Sequence, residues 1–172
     1  ARSQHLEAQD TAVTDSGVLQ LRSRTIQSDV TLAYAAVTTT APSPDRAWTS
    51  RSSTSVTSRT TQHVSAGSTV RLEKFVVIAT SRDHAAPTGD VLDRATERAE
   101  AAAAQGFSSL LQDNAAAWRQ LWQACDAEVV GDEELTLAVR FSIYQLLIAA
   151  NPDDPTVNVG AKSLSGEGYR GH

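Results

Sequence analysis

The stretch Gly160-Ala-Lys-Ser-Leu-Ser-Gly-Glu-Gly-Tyr-Arg-Gly-His172 carries the strongest signal in this sequence. Four glycines and two serines lie among a lysine, a glutamate, a tyrosine, an arginine and a histidine. Glycine permits backbone conformations and close approaches that a Cβ forbids, so a glycine-rich loop with ionisable side chains is more often a site than a spacer. A flexible C-terminal tail is the other interpretation of this composition.

A strongly apolar helix is predicted directly upstream of this loop. Leu135–Ala150 is apolar on almost every side, and the acidic residues of Gly131-Asp-Glu-Glu134 suit the first turn of a helix. The two prolines of Asn151-Pro-Asp-Asp-Pro155 end it. Because a helix that is apolar all round is typical of a protein interior, we expect it to lie within a larger helical assembly.

Two more helices are predicted before this one. Asp90 is a suitable N-cap for an Ala-, Glu- and Arg-rich helix that ends at Gly106. Ser108 or Ser109 would cap the next helix, which carries an apolar stripe with helical spacing. The stripe consists of Leu111, Trp118 and Trp122. Packing onto a neighbouring helix explains two tryptophans better than sugar stacking does.

Residues 1–83 are predicted to form β-strands. Val18–Arg24 and Val30–Thr39 read as strands, and strict alternation places Val30, Leu32, Tyr34 and Ala36 on one side, which we expect to be buried. The Ser/Thr-rich stretch Trp48–Ser65 suits two polar strands better than a low-complexity linker. Val70–Thr80 is the strongest strand, and its continuously apolar second half predicts entry into a core.

Composition and charge exclude several classes of function. The 172 residues are 41% hydrophobic but only 5% aromatic, and their net charge is -5. This charge argues against non-specific binding to nucleic acid or an anionic membrane, which needs a basic surface. No apolar run reaches the roughly 18–20 residues that a membrane span requires.

The sequence offers no metal-ligand pattern. Cys125 is the only cysteine, which leaves no intramolecular disulfide and no cysteine-based metal site. His5, His63 and His84 are isolated from one another and from carboxylates at ligand spacing, so we predict no metal site. This use of cysteine is compatible with a reducing cytoplasm.

The final stretch resembles the active-site loop of the maltose, trehalose and kojibiose phosphorylases, which belong to glycoside hydrolase family sixty-five. In that family a Gly-Glu-Gly-Tyr-x-Gly-His run leads directly into a Phe-Trp-Asp-Thr-Glu motif, and residues 166–172 match the run. Phe141-Ser-Ile-Tyr-Gln-Leu-Leu147 also resembles the family sequence, as do Leu72-Glu-Lys-Phe75 and Thr80-Ser-Arg-Asp83.

The resemblance implies an α+β fragment of a multidomain enzyme. Residues 1–83 would be the C-terminal part of an antiparallel β-sandwich, and residues 84–127 a helical linker. Residues 128–172 would supply the first helix of an (α/α)6 barrel and the loop after it. The chain begins at Ala1 without a methionine and ends at His172, just before the Phe-Trp-Asp motif is expected. We therefore expect an internal fragment of a longer protein.

The resemblance also implies a function. Members of this family invert the anomeric configuration and cleave an α-linked glucose disaccharide with phosphate, which gives β-glucose 1-phosphate and glucose. The expected partners are the disaccharide and phosphate, and no cofactor is expected. The expected location is the cytoplasm, and the parent protein could form a homodimer. An acid-trehalase-like hydrolase of the same family and a non-catalytic carbohydrate-binding sandwich are the alternatives.

No catalytic residue is assigned within this chain, because the general acid and the phosphate loop of the family would follow later. The residues that match the family loop are expected to bind the substrate. They are Glu167, Tyr169, Arg170 and His172. Of these, Glu167 is expected to close the glycine turn rather than to act as the acid.

Overall fold

The computed structural model describes residues 5–83 and 89–150, in which six strands precede three helices. The strands are β1 Leu6–Val13, β2 Leu19–Thr25, β3 Thr31–Ala41, β4 Arg46–Arg51, β5 Val56–Thr61 and β6 Arg71–Thr80. The helices are α1 Val91–Gln105, α2 Phe107–Cys125 and α3 Glu133–Ala149. The predicted order, antiparallel strands followed by helices, is confirmed.

The strands form two antiparallel layers. One sheet has the order β1-β2-β3-β6, and β4 pairs with β5 in a separate hairpin. The hairpin lies against β1 and β2, and the Thr11 hydroxyl donates a hydrogen bond of 2.7 Å to the Ser52 carbonyl. The prediction of two polar strands for Trp48–Ser65 is therefore confirmed, although the first strand begins two residues earlier, at Arg46.

Helix α1 covers one face of the four-stranded sheet and forms the core with it. Its contacts are with β2, β3 and β6. Alanines dominate this interface, and small side chains let a helix backbone approach a sheet closely. The buried cluster consists of Val18, Ala33, Ala35, Ala79, Leu92, Ala95 and Ala99.

The prediction for the buried face of β3 was wrong. Leu32, Tyr34 and Ala36 do share a face, but the fully buried residues of this strand are Ala33 and Ala35, on the opposite face. The reason is that α1 packs against the alanine face, where its own alanines fit. Large side chains do not mark the buried face when the covering element is an alanine-rich helix.

Strand β6 also differs from its prediction. Phe75, Val77 and Ala79 face α1, and Phe75 is buried, as expected. The alternate side chains are exposed although the sequence there is continuously apolar: Val76 is 53% exposed and Ile78 is 58% exposed. The apolar half of the strand therefore enters the described core with one face only.

The helices lie close to their predicted positions. Helix α1 has the predicted bounds, and the Asp90 carboxylate accepts the Leu92 N–H at 2.7 Å as its cap. Helix α2 begins at Phe107, directly after Gly106, so the expected serine caps were wrong. Gly106 has a φ of 82°, which lets α1 end and α2 begin with one residue between them.

Helix α3 has an unexpected environment. It begins at Glu133, so the acidic residues lie in its first turn as predicted, and its only buried residue is Thr136. The sequence predicted a helix buried on every side, whereas large apolar side chains of this helix are exposed in the described structure. They are Leu135, Leu137, Phe141, Tyr144 and Leu146.

The chain divides into two compact units, residues 1–110 and 111–172. This division falls inside α2, and the domain boundaries at 83/84 and 127/128 stay predictions. None of the helices in the described part of the chain is both long and apolar enough to cross a membrane.

Candidate functional site

The predicted binding loop lies outside the described residues. Glu167, Tyr169, Arg170 and His172 all fall within residues 151–172, so their substrate-binding roles stay predictions. What the structure does give is the support immediately before the loop. Helix α3 ends where the Ala150 N–H donates a hydrogen bond of 3.2 Å to the Leu146 carbonyl.

The beginning of α3 is held by side-chain hydrogen bonds. The Asp132 carboxylate accepts the Leu135 N–H at 2.9 Å, which caps the helix. The buried Thr136 hydroxyl accepts the Val129 N–H at 2.9 Å and lies 2.9 Å from the Asp132 carbonyl, to which it donates. These bonds connect the first turn of the helix to the loop before it and fix where the helix starts.

A groove of about 690 Å³ lies beside this helix start. Its lining consists of Glu128, Val129, Gly131, Asp132, Glu133, Thr136, Leu137 and Arg140. On its wall, the Arg140 guanidinium donates two hydrogen bonds to the Asp126 carboxylate, from Nε at 2.7 Å and from Nη2 at 2.8 Å. In this bidentate geometry the guanidinium is already paired with a carboxylate, so it is not positioned to bind an anionic ligand.

The pKa values of this pair agree with that geometry. Hydrogen bonding to Arg140 and the charge of its guanidinium lower the pKa of Asp126 below its ordinary value. The same hydrogen bonds and the carboxylate charge raise the pKa of Arg140. Both groups are thus kept ionised, so Asp126 is unsuited to act as a general acid near neutral pH.

One residue of the predicted stripe of α2, Trp118, packs against a ring of α3, whereas Leu111 is exposed. The ring centroids of Trp118 and Tyr144 lie 5.4 Å apart with their planes inclined by 37°. Contacts of this kind join helices, and they occupy an indole face that a sugar would need. The packing interpretation of Trp118 is therefore confirmed.

A second polar cluster joins β6 to α1. The Asp83 carboxylate accepts the Thr80 N–H at 3.0 Å and the Thr80 hydroxyl at 2.7 Å. Arg94 of α1 donates to the Thr80 carbonyl at 3.2 Å and to the Gly89 carbonyl at 2.9 Å. The cluster closes the end of the strand and ties the helix to it.

The carboxylates at this junction are stabilised in their charged form. Burial raises the pKa of Asp83, but the hydrogen bonds from Thr80 and the charges of Arg98 and Arg94 outweigh it, so the pKa is lowered. The Leu92 N–H is the main cause of the lowered pKa of Asp90, and Arg22 lowers it further through a hydrogen bond and ion pair of 2.6 Å. Each of these carboxylates acts as an acceptor within the fold.

Other candidate ligands are dispersed. In the described part of the chain, no three His, Cys, Asp or Glu side chains come together as a metal site, and His84 lies outside that part. Trp48 is 45% exposed on the hairpin, with the Arg59 guanidinium 5.7 Å from the centre of its ring. A single tryptophan partly covered by arginine offers little area for stacking a sugar.

Sequence reasoning missed two of these arrangements. Asp126 and Arg140 are fourteen positions apart and carry no local pattern that would pair them. The role of Thr136 in anchoring the loop before α3 was missed as well. By contrast, Thr80-Ser-Arg-Asp83 was singled out as a motif, and the contact between Asp83 and Thr80 gives it a structural reason.

Comparison with known proteins identifies the family. The model for "Glycosyl hydrolase family 65, N-terminal domain" matches residues 1–121. A kojibiose phosphorylase of Caldanaerobacter subterraneus is 41% identical over 105 residues, which are 60% of this chain and 13% of that protein. A maltose phosphorylase of Bacillus subtilis is 33% identical over 100 residues, which are 58% of this chain and 13% of that protein.

One further relative aligns along almost the entire chain. An uncharacterized glycosyl hydrolase of Mycobacterium tuberculosis is 33% identical over 176 aligned positions, covering 99% of this chain and 13% of that protein. The chain thus spans about one eighth of the length of the curated relatives that it matches. Since the family model matches more than half of its residues, the chain belongs to glycosyl hydrolase family 65.

Proposed function

We propose that the polypeptide containing this chain is an inverting phosphorylase that cleaves an α-linked glucose disaccharide. Phosphate attacks the anomeric carbon, the bond to the second sugar breaks, and the products are β-glucose 1-phosphate and glucose. The observation that carries this proposal is the similarity to kojibiose and maltose phosphorylases within the same family. Phosphate is the co-substrate, and no cofactor takes part.

Cleavage by phosphate requires fewer catalytic carboxyl groups than cleavage by water does. An inverting hydrolase uses one carboxyl group to protonate the leaving oxygen and another to activate water. A phosphorylase needs only the acid, because phosphate is already an anionic nucleophile. The carboxylates of Asp83, Asp90 and Asp126 serve structural contacts, and the general acid of the family is expected later in the polypeptide, so we assign the acid to no residue of this chain.

The loop after α3 is proposed to line the sugar site. Tyr169 would stack on a glucosyl ring, Arg170 would contact hydroxyls or pair with a carboxylate, and His172 would donate to a sugar hydroxyl. Glu167 would close the glycine turn through backbone N–H groups. The proposal further places the protein in the cytoplasm and allows a homodimer.

A hydrolase of the same family is the second candidate. Its support is the relative that aligns with 99% of the chain, which is named a glycosyl hydrolase. The two candidates differ in the nucleophile, which is phosphate in one and water activated by a second carboxylate in the other. They therefore predict different products from the same disaccharide.

Incubation of the intact protein with kojibiose, maltose, trehalose and nigerose, with and without phosphate, tests the proposal. A phosphorylase forms glucose 1-phosphate only when phosphate is present, and the anomeric signal in proton NMR distinguishes the β-anomer from the α-anomer. Release of glucose at the same rate without phosphate identifies a hydrolase. Formation of α-glucose 1-phosphate would refute the inverting mechanism.

A further inference from the structure

One side of α3 is attached to the chain that precedes it. Thr136, Arg140 and Tyr144 follow one another at intervals of four residues, so they lie along one side of the helix and are called the attachment stripe. The partners of these residues lie progressively earlier in the chain, so the preceding segment runs back along α3. The partners are, in the same order, Val129, Asp126 and Trp118.

Two of these attachments restrict different movements of the helix. The Thr136 hydroxyl accepts the Val129 N–H at 2.9 Å in the first turn, which opposes sliding of α3 along its axis. The Arg140 guanidinium donates to the Asp126 carboxylate from Nε at 2.7 Å and from Nη2 at 2.8 Å. Because a bidentate pair holds two planar groups in one relative orientation, it also restricts rotation and tilt of the helix.

The pair of Asp126 and Arg140 is too exposed to matter mainly for stability. Their side chains are 45% and 42% exposed, and ion pairs that water screens to this extent stabilise a fold little. The two hydrogen bonds are nevertheless short and well directed. The pair is therefore better suited to orient α3 than to keep the chain folded.

A small change in the direction of α3 is amplified at its C-terminal end. The helix has 17 residues, which makes it about 25 Å long at a rise of 1.5 Å per residue. A tilt of about 10° at the first turn therefore displaces the other end by roughly 4 Å. The chain continues from this end toward the residues proposed to bind the sugar, and misplacing a substrate-positioning group by about 1 Å can cost up to a hundredfold in rate.

We propose that Asp126 and Arg140 are positioning residues for substrate binding. The pair sets the direction of α3, and α3 sets the point from which the chain leaves toward residues 166–172. This inference rests on the proposed function, in which those residues line the sugar site. Arg140 itself contacts neither sugar nor phosphate, because its guanidinium is already paired with Asp126.

Single substitutions in the intact protein test the pair. Asp126→Asn and Arg140→Gln remove its charges and nearly preserve the size of the side chains. For the disaccharide that the parent cleaves fastest, we expect each to raise KM about three- to tenfold. We expect kcat to change by less than about twofold, and the melting temperature to fall by less than about 2 °C.

Asp29→Asn is the matched control. Asp29 is paired with Arg24, is 68% exposed and lies between β2 and β3, so the same substitution breaks an exposed ion pair in the other compact unit. Asparagine also tolerates the φ of 55° at this position. We expect KM and kcat to remain those of the parent.

A double-mutant cycle with Tyr169→Ala tests whether the pair acts through the residues that bind the sugar. A contact that Tyr169→Ala has already removed cannot be lost again when the loop is misplaced. Asp126→Asn should therefore raise KM in the Tyr169→Ala protein by at most about half the factor seen in the parent. An equal factor in both proteins would overturn the inference, and so would an effect no larger than that of Asp29→Asn. A fall in melting temperature of more than about 5 °C would also overturn it, because the pair would then hold the fold.

These measurements separate the inference from the proposed function. The ratios of KM can be obtained with glucose 1-phosphate or with glucose as the product, so hydrolysis in place of phosphorolysis would refute the proposed function alone. An unchanged KM and kcat in Tyr169→Ala would refute the binding role of the loop and the inference with it. An impaired Tyr169→Ala protein in which Asp126→Asn acts independently would refute only the positioning role of the pair.

Discussion

Replacing Ala95 with leucine should destabilise the packing of α1 against the sheet. Ala95 and the facing residues Ala33, Ala35 and Ala79 are all 0% exposed. Leucine adds three carbon atoms at a point where the helix and sheet backbones already approach closely. Overpacking of this kind costs about 1–3 kcal/mol of unfolding free energy. For a chain of this size, that cost corresponds to a fall in melting temperature of roughly 2–12 °C.

Ala101→Leu provides the matched control. Ala101 lies on the same helix but is exposed, and leucine is nearly as good a helix former as alanine. We expect its unfolding free energy to remain within about 0.5 kcal/mol of the parent value. Urea unfolding of both variants, followed by circular dichroism, gives the comparison. Equal stability of the two variants would refute the packing of α1 on the alanine face of the sheet.

Three further predictions concern charge and activity. Because the pKa of folded Asp83 is lowered from 3.8, its stabilising contribution is present above that value and is lost as the pH falls through the folded pKa. In Asp83→Asn, the unfolding free energy measured by urea titration should fall less steeply with decreasing pH than in the parent. An equal dependence on pH in the two proteins would contradict this role of Asp83. The 172-residue chain alone should form no glucose 1-phosphate from maltose, trehalose, kojibiose or nigerose, and a product signal above a heat-denatured control would disprove this. In the intact protein, Tyr169→Ala or His172→Ala should lower kcat/KM about ten- to a hundredfold, whereas Lys162→Ala should leave it unchanged. If all three substitutions left kcat/KM unchanged in a well-folded protein, the loop would be a structural connector and not a binding loop.

The order of the elements could be read from the sequence because its signals are local. The turn signal before it identified β2, alternation identified β3, threonine content identified the hairpin, and Asp90 with Gly106 bounded α1 correctly. The buried face of β3 could not be read in this way, since it depends on which element covers the strand. An alanine-rich helix selects Ala33 and Ala35, although Leu32 and Tyr34 are the larger side chains.

The candidate site was less predictable because its contacts are not local. Asp126 and Arg140 meet through the turn between two helices, and Thr136 reaches back to Val129. Neither contact has a sequence signature. Burial was also overpredicted for α3 and for the apolar half of β6. Apolar side chains favour burial, but their sequence does not specify which element covers them.

The described carboxylates indicate where the chemistry cannot lie. A general acid that works near neutral pH needs a pKa raised toward that pH, usually by burial without compensating donors. The described carboxyl groups with a resolved shift, those of Asp83, Asp90 and Asp126, are all shifted downward. In each case hydrogen-bond donors of the fold stabilise the anion: Thr80 for the first, Leu92 for the second and Arg140 for the third. These three groups therefore belong to the framework that supports the sheet and the start of α3, and none of them is a candidate for the general acid of the proposed reaction.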